Sequence, residues 1–290
     1  MKRVKLTVAY DGTNYCGWQI QPNGISIESV LNHHLSELLG EEIRVIGASR
    51  TDAGVHARGN VAVFDTTARM PADRISYAMN TRLPADIRIQ DSREVAADFH
   101  PRFCETRKTY EYKICNRRFP DPCCRLYSLF YYWDLDVERM QKAASYLVGT
   151  HDFTSFCTNK PEITNRVRTI YSLDVFYETD SRTFRRGTSA ERLDCQDDMS
   201  ADPSIWQNNA GKDTDAMITV RICGNGFLYN MVRIIVGTLL RVGSGRMEPE
   251  EMAAVLAAKD RGLAGDTAQP QGLTLVGIEY PENSEIGKND

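Results

Sequence analysis

The sequence lacks any apolar segment long enough to cross a membrane, since no window approaches the roughly 18 uncharged apolar residues that a spanning helix needs. It also lacks an export signal at its beginning. Met1–Val8 alternate charged and apolar residues, with no apolar stretch and no small-residue cleavage site. These absences predict a soluble, cytoplasmic protein that has no membrane partner.

Patterns typical of bound metals and cofactors are missing as well. The 8 cysteines include no CxxC pair and no Cys/His spacing typical of zinc, and the adjacent Cys123 and Cys124 are poorly placed to bridge each other. A P-loop is absent, and Tyr229 takes the third glycine position of the GxGxxG motif that Gly224 would begin. We therefore expect free thiols in a reducing compartment, no metal and no organic cofactor.

The chain has no overall excess of positive charge, because its net charge is −4 and its pI is about 5.8. This balance argues weakly against a nucleic-acid partner, since neutralised phosphates supply most non-specific affinity. Positive charge is concentrated locally, however, between Phe99 and Arg118. The basic side chains there are Arg102, Arg107, Lys108, Lys113, Arg117 and Arg118, against the acids Glu105 and Glu111. Without a motif, a solvated strand face explains this segment better than an RNA-binding track does.

Hydrophobic periodicity predicts the same order of elements, βαββαβ, twice along the 290 residues. The first set comprises strands at 3–10, 42–47, 60–65 and from 87, with helices from Ser26 to Gly40 and from Pro71 to about Thr81. The second set comprises strands at 109–115, 167–176, 217–223 and 273–279, with helices at 136–148 and 227–242. An extra helix begins at Pro249.

This order predicts an α+β fold of two ferredoxin-like (RRM-like) halves, with antiparallel or mixed sheets, helices on one face and an active-site cleft between the halves. We expect an N-terminal half at 1–105 and a C-terminal half at 106–282. The polar stretch at 178–216 is expected to be a surface insertion in the second half, and 283–290 a disordered tail.

A loop of small residues between two predicted strands contains the most reactive candidate. Asp52 lies in the segment 47–56, two positions after Arg50. A nearby guanidinium favours the ionised carboxylate that a nucleophile or general base needs at neutral pH. By itself, however, the Asp-Ala-Gly sequence is explained more readily by turn formation.

Two further residues could complete a site. The helix predicted at 227–242 is apolar nearly all round but contains Arg233, which would need an anion if it were buried. That anion could be a structural acid or a catalytic carboxylate, and sequence spacing does not choose between them. Tyr110 and Tyr112 would share one strand face among basic residues, where an aromatic ring can stack on a base, although strand tyrosines are more often core residues.

Seven segments taken together resemble the TruA family of tRNA pseudouridine synthases, in the order that this family has them. The segments are 9–19, 49–57, 99–103, 108–112, 151–156, 224–233 and 271–275. The most specific of them contains Arg-Thr-Asp-Ala-Gly-Val-His from Arg50 to His56. Two features depart from the family pattern: the polar stretch at 178–216 is longer than usual, and Lys108 stands where arginine is common.

The resemblance implies an isomerase that converts uridine to pseudouridine at positions 38, 39 and 40 of the tRNA anticodon stem-loop, as a homodimer without metal or cofactor. In this family, an essential aspartate attacks the nucleoside, a tyrosine packs on the target base, and a basic residue pairs with the aspartate. The resemblance assigns these roles to Asp52, Tyr110 and Arg233. The three residues must then converge in one cleft.

Four more residues complete the expected site. Arg50 is our hypothesis for the residue that fills the gap when the target base leaves the stack, and His100, Arg102 and Arg107 are expected to contact the RNA backbone. The alternative function is a non-catalytic RNA-binding protein on a duplicated RRM-like scaffold. A glycoside hydrolase is less consistent with the sequence, because its mechanism needs two carboxylates and we find one in a reactive setting.

Overall fold

A computed structural model describes residues 1–158, 164–178 and 216–281. The predicted tail at 283–290 lies outside these ranges, as does all of the predicted insertion except Glu178 and Ala216. Five α-helices and ten strands make up the described part of the chain. None of these helices has the length and apolar composition that would let it cross a bilayer.

The elements alternate along the chain as a mixed α+β protein. The helices are α1 Ile27–Leu39, α2 Ala72–Asn80, α3 Val137–Ser145, α4 Met231–Gly243 and α5 Glu251–Ala258. The strands are β1 Lys2–Tyr10, β2 Ile46–Gly47, β3 His56–Thr66, β4 Ile87–Val95, β5 Arg107–Asn116, β6 Leu129–Tyr131, β7 Gly149–Asp152, β8 Val167–Tyr177, β9 Ala216–Gly224 and β10 Leu273–Glu279.

All ten strands belong to one sheet, in which eight follow the order β4-β1-β3-β10-β5-β9-β8-β7. The remaining two are short: β2 pairs with β3, and β6 pairs with β5. The pairs β3–β10 and β5–β6 are parallel, and the other pairs are antiparallel. The parallel contact joins Thr274 and Leu275 of β10 to His56 and Ala57 of β3. It brings the segment that follows the Asp52 loop to the centre of the sheet.

The predicted boundaries of α1 are confirmed by both of its caps. The Ser26 side chain accepts a hydrogen bond from the Ser29 amide at 3.1 Å, and the Ser29 side chain accepts one from the Ser26 amide at 3.1 Å. This reciprocal capping box satisfies two amides that have no partner inside the helix. At the other end, Gly40 adopts the left-handed conformation, with φ of 70°, which favours glycine.

The predicted strand at 42–47 is wrong over most of its length, since only Ile46 and Gly47 pair with β3. Side chains of α1 take the place of a strand partner. Asn32 accepts a hydrogen bond from the Val45 amide at 2.8 Å, and Ser36 accepts one from the Ile43 amide at 2.9 Å. The alternating pattern therefore reflects burial against a helix, without a ladder of backbone hydrogen bonds.

The helix that contains Arg233 begins later than predicted. Asn230 has a φ of 61°, so it cannot continue a right-handed helix, and α4 starts at Met231. Arg233 consequently lies in the first turn of α4, close to the loop before it. The helix then runs through buried residues to Gly243, and its apolar cluster is continuous with the residues buried under β1 and β3. One rigid core thus supports both ends of the site.

Candidate active site

The Asp52 loop connects β2 to β3 and is held by bonds to its neighbours on both sides. The Thr51 hydroxyl lies 2.7 Å from the Tyr10 hydroxyl in the core, and the Thr51 carbonyl accepts a hydrogen bond from the Trp18 amide at 3.0 Å. A turn then closes where the Val55 amide donates to the Asp52 carbonyl at 3.1 Å. The backbone on both sides of the carboxylate is therefore fixed before any ligand binds.

Asn60 holds the start of the same loop in place and was not predicted as a site residue. This side chain is fully buried in β3. Its amide nitrogen donates to the Ser49 carbonyl at 3.0 Å and to the Tyr10 hydroxyl at 3.3 Å, while its oxygen accepts from the Ser49 amide at 3.3 Å. The sequence does contain a signal for this role, since Asn60 is a polar residue at the start of an apolar strand segment. A buried side-chain amide needs hydrogen-bond partners, so such a residue is expected to hold a neighbouring loop.

Gly17 allows the preceding loop to approach the Asp52 loop closely. A Cβ at this position would lie 2.5 Å from the Thr51 carbonyl oxygen, and the φ of Gly17 is +99°. Both the space and the backbone conformation exclude a side chain here. The contact makes residues 16–23 one wall of the space in front of Asp52.

Arg233 contacts the Asp52 carboxylate directly. Its Nη1 donates to Asp52 Oδ2 at 3.3 Å and to Asn230 Oδ1 at 3.1 Å, and its Nε donates to the Ala268 carbonyl at 2.7 Å. The Arg233 side chain is 15% exposed and that of Asp52 is 22% exposed. The guanidinium therefore places a positive charge against the carboxylate, and both side chains remain partly exposed.

The partners of Arg233 are themselves positioned by packing against α4. A Cβ on Gly237 would lie 1.7 Å from the Asp266 carbonyl oxygen, so the segment before β10 lies directly on the helix. The Ala268 amide donates to the Arg233 carbonyl at 3.1 Å, which places the Ala268 carbonyl beside the guanidinium. The orientation of Arg233 is therefore set by backbone that only the folded chain brings together.

Tyr110 extends from β5 into the same space. Its side chain is buried, makes an edge contact with Phe227 at 5.3 Å between ring centroids, and bonds to the Ser49 side chain. Burial is the main cause that raises the pKa of Tyr110 to about 12, and the Asp52 charge adds to it, while the Ser49 bond opposes it. The phenol is neutral at physiological pH and can donate a hydrogen bond.

These residues line one cleft of about 970 Å³. Asp52, Tyr110 and Arg233 all face it, and so do Arg50 and Arg102. Its walls come from the Asp52 loop, from β5 and from the start of α4, that is, from both predicted halves of the chain. Among the described residues that line the cleft, Asp52 is the single carboxylate. The arrangement provides one carboxylate paired with an arginine, one neutral hydroxyl and several cations.

The other predicted contact residues are distributed differently. Arg50 and Arg102 are exposed side chains at the cleft. His100 lies outside the lining residues, where its ring stacks on Phe103 at 4.0 Å. Arg107 is also outside, with its guanidinium 4.9 Å above the Tyr171 ring. The structure therefore brings two of these four residues to the cleft.

Two basic residues in the cleft were not predicted as site residues. Lys108 follows Arg107 on β5 and points to the same face as Tyr110, and Arg168 reaches the cleft from β8. Burial lowers the pKa of Lys108 to about 8, and the positive charges of Arg102 and Arg168 lower it further. The alternating pattern of β5 already placed Lys108 with Tyr110, but the approach of β8 could not be deduced from the sequence.

Donor atoms suitable for a metal ion occur together on α1. In the described part of the chain, one group of side chains could hold a metal ion: His33, His34 and Glu37, whose ligand atoms lie within 4.8 Å of one another. None of the three lines the cleft. The cleft and this cluster are separate features of the molecule.

Comparison with known proteins shows similarity over almost the whole chain. Residues 6–104 and 143–281 match the family model described as tRNA pseudouridine synthase. The chain is 41% identical to the tRNA pseudouridine synthase A of Thermoanaerobacter sp. (strain X514), over 97% of this chain and 100% of that protein. It is 42% identical to the protein of the same name from Halalkalibacterium halodurans, over 100% of this chain and 96% of that protein.

Proposed function

Because the chain belongs to the family of tRNA pseudouridine synthase A, which isomerises uridine in tRNA, we propose that Asp52 is its nucleophile. We propose further that its targets are uridines 38, 39 and 40 of the anticodon stem-loop. The observation that carries the proposal is the contact between Asp52 and Arg233 in a cleft that Tyr110 also lines. No second carboxylate lines the cleft within the described residues, as paired-carboxylate hydrolysis would need.

The proposed reaction is redox-neutral and takes place within one nucleotide. Attack by the Asp52 carboxylate leads to cleavage of the bond between the ribose C1′ and N1 of uracil. The detached uracil turns in the cleft, C5 bonds to C1′, the carboxylate is released, and the proton on C5 leaves while N1 gains one. An activated carboxylate and a space that retains the free base are sufficient for these steps.

We propose that Tyr110 packs on the target base and assists proton transfer at C5. Tyr110→Phe keeps the ring and removes only the hydroxyl, so the fold tolerates it while the rate of pseudouridine formation falls by a factor of about 10² to 10⁴. Single-turnover rates at saturating enzyme measure this effect apart from tRNA binding. Tyr112→Phe is the matched control, since it removes the hydroxyl of a second buried tyrosine on β5, bonded to the Gln269 carbonyl at 2.7 Å. Equal rates for the two variants would contradict a role for the Tyr110 hydroxyl.

Mapping the product on RNA tests the proposed target positions. Purified protein is incubated with an unmodified tRNA transcript that has uridine at positions 38, 39 and 40, and pseudouridine is located by chemical mapping. We expect product at these positions and none in a transcript with cytidine at all three. Pseudouridine elsewhere in the first transcript, with none at 38–40, would show that the substrate region is different.

The alternative of a non-catalytic RNA-binding protein is less well supported. Binding alone would use the basic and aromatic side chains of the cleft, but it gives no reason for a carboxylate held by Arg233. The chain covers 100% and 96% of the lengths of two relatives that are named as synthases. The chain is therefore an isomerase.

The proposed division into two ferredoxin-like halves is supported by the strand order. Among the first four strands, β2 pairs with β3, β3 with β1, and β1 with β4. The second set repeats this pattern, because β8 pairs with β9, β9 with β5, and β5 with β10. Such a repeat is expected if each half is a βαββαβ unit and if β3 and β10 join the two units.

The basic residues near Asp52 are proposed to contact the RNA. The exposed Arg50 at the cleft is suited to fill the gap left by an extruded base, and Arg102 is suited to contact a phosphate. Contacts of His100 and Arg107 with RNA would have to be made outside the cleft. The proposed homodimer rests on the resemblance to the family, and the proposed cytoplasmic location rests on the cysteine pattern and the N-terminal sequence.

A further inference from the structure

Basic side chains from three elements line the cleft together, and the charge of Glu28 acts on one of them, Arg102. Arg102, from the loop before β5, Lys108, on β5, and Arg168, on β8, all line the cleft. In the described part of the chain, no carboxylate forms an ion pair with any of them. Three cations from three separate elements repel one another unless an anion lies among them.

Lys108 is the most informative of the three. Its ammonium group donates to the Ala48 carbonyl at 3.0 Å, which uses one of its three N–H donors. Burial makes the charged form unfavourable, and the charges that act on Lys108 are those of Arg102 and Arg168. A neutral donor would hold the Ala48 carbonyl without this electrostatic penalty. The two remaining donors of Lys108 and its charge therefore call for a ligand.

Arg168 is prepared for a similar contact. Its Nη1 donates to the carbonyl oxygens of Asn165 at 3.1 Å and Val167 at 2.7 Å, which fixes the position of the guanidinium beside the cleft. Burial lowers the pKa of Arg168. A guanidinium with one edge held by backbone still has donors to offer to an oxyanion.

We propose that Arg102, Lys108 and Arg168 form a binding site for a single phosphodiester group of the RNA, next to the uridine that is isomerised. The inference rests on the proposed function in taking RNA as the ligand. A phosphodiester carries one negative charge on two free oxygens, which can accept hydrogen bonds from donors on three separate elements. The sequence predicted that Arg102 contacts the RNA backbone. The proposed site adds Lys108 and Arg168 to that contact and restricts it to one phosphate group.

The site predicts a pH dependence of RNA binding. Bound phosphate stabilises the protonated form of Lys108, so affinity is full below the pKa of the free protein, about 8, and falls as the pH rises above it. Replacing Lys108 by arginine, which stays charged at these pH values, should remove the dependence. Because both proteins bind the same RNA, any titration of the RNA bases affects both equally.

The experiment measures the affinity of an anticodon stem-loop RNA for the full chain, separately from turnover. We expect Lys108→Met to weaken binding about tenfold and to lower the salt dependence by about one phosphate contact. Its effect on turnover should be mainly an increase in KM. Lys113→Met is the matched control, since Lys113 lies on the opposite face of β5, paired with Glu178 at 2.8 Å. Its RNA affinity should equal that of the wild type.

A set of RNAs, each with one phosphate replaced by a neutral methylphosphonate, locates the contact. For wild type, one replacement near the target uridine should weaken binding about as much as Lys108→Met does. In the Lys108→Met protein, that same replacement should not weaken binding further, because the contact is already lost. If every replacement weakened binding equally in the two proteins, or if wild type and Lys108→Arg showed the same pH dependence, the site would be disproved. Failure of wild type to form pseudouridine would instead contradict the proposed function.

Discussion

Asp52→Asn should abolish pseudouridine formation, lowering the single-turnover rate by a factor of about 10⁴ or more, because a neutral amide cannot replace the carboxylate nucleophile. The substitution keeps the volume of the side chain, and the amide oxygen can still accept the hydrogen bond from Arg233. RNA affinity should change little, since the carboxylate acts in the reaction more than in binding. Activity is measured by mapping pseudouridine and affinity by titration of labelled RNA.

A second aspartate–arginine pair in the same molecule provides the control. Asp65 accepts two hydrogen bonds from Arg3, at 2.8 and 2.7 Å, on strands away from the cleft. Asp65→Asn therefore removes a comparable charge while leaving the cleft intact, and its activity should match that of wild type. If Asp52→Asn still formed pseudouridine, the nucleophile would have to be another group. If both variants lost activity, the loss would reflect damage to the fold.

Arg233→Ala should lower both activity and stability. The substitution removes hydrogen bonds to Asp52, Asn230 and the Ala268 carbonyl, so the free energy of unfolding should fall by about 1–3 kcal/mol. We expect the lower part of this range, because both charged groups keep some contact with water. Without the guanidinium that orients Asp52, the rate should fall by a factor of about 10² to 10³. Urea denaturation and single-turnover kinetics measure the two effects.

Two additional variants separate these effects. Arg233→Lys keeps the charge but cannot hold three acceptors with one planar group, so it should recover stability more than activity. Arg3→Ala breaks the pair with Asp65 and a bond to the Phe99 carbonyl, and should lower stability without lowering the rate. An Arg233→Ala protein as stable and as active as wild type would show that its contact with Asp52 has no functional role.

Elements whose residues alternate or repeat over many positions could be predicted from the sequence. The final strand, β10, was predicted at its observed bounds, and α1 was predicted with both caps. Short elements were not predictable in this way. The strands β6 and β7, with 3 and 4 residues, are too short for a period to be recognised. An alternating pattern can also mislead, as at 42–47, where no strand forms over most of the segment. There, side chains of α1 accept the backbone hydrogen bonds that a neighbouring strand would otherwise have accepted.

The candidate site shows the same division at the level of single residues. The sequence by itself made Asp52, Arg233 and Tyr110 candidates, but only Arg233, in an apolar helix, is unusual in its local setting. Asp52 in a turn and Tyr110 on a strand are ordinary there, and the resemblance to the family gave them their roles. Sequence spacing left open whether Arg233 meets a structural or a catalytic acid. Asp52 and Arg233 are 181 positions apart, and no local pattern encodes a contact over that separation.

The tertiary structure decided which side chains share a cleft. It paired Arg233 with Asp52, placed His100 and Arg107 outside the cleft, and added Lys108 and Arg168 to it. It also showed that the buried Asn60 holds the start of the Asp52 loop. The physical reason is that strand pairing and helix packing set these distances: β3 meets β10, β9 lies between β5 and β8, and the segment before β10 rests on α4. Composition and periodicity determine which face of an element is buried, whereas the register between distant strands determines which charges meet.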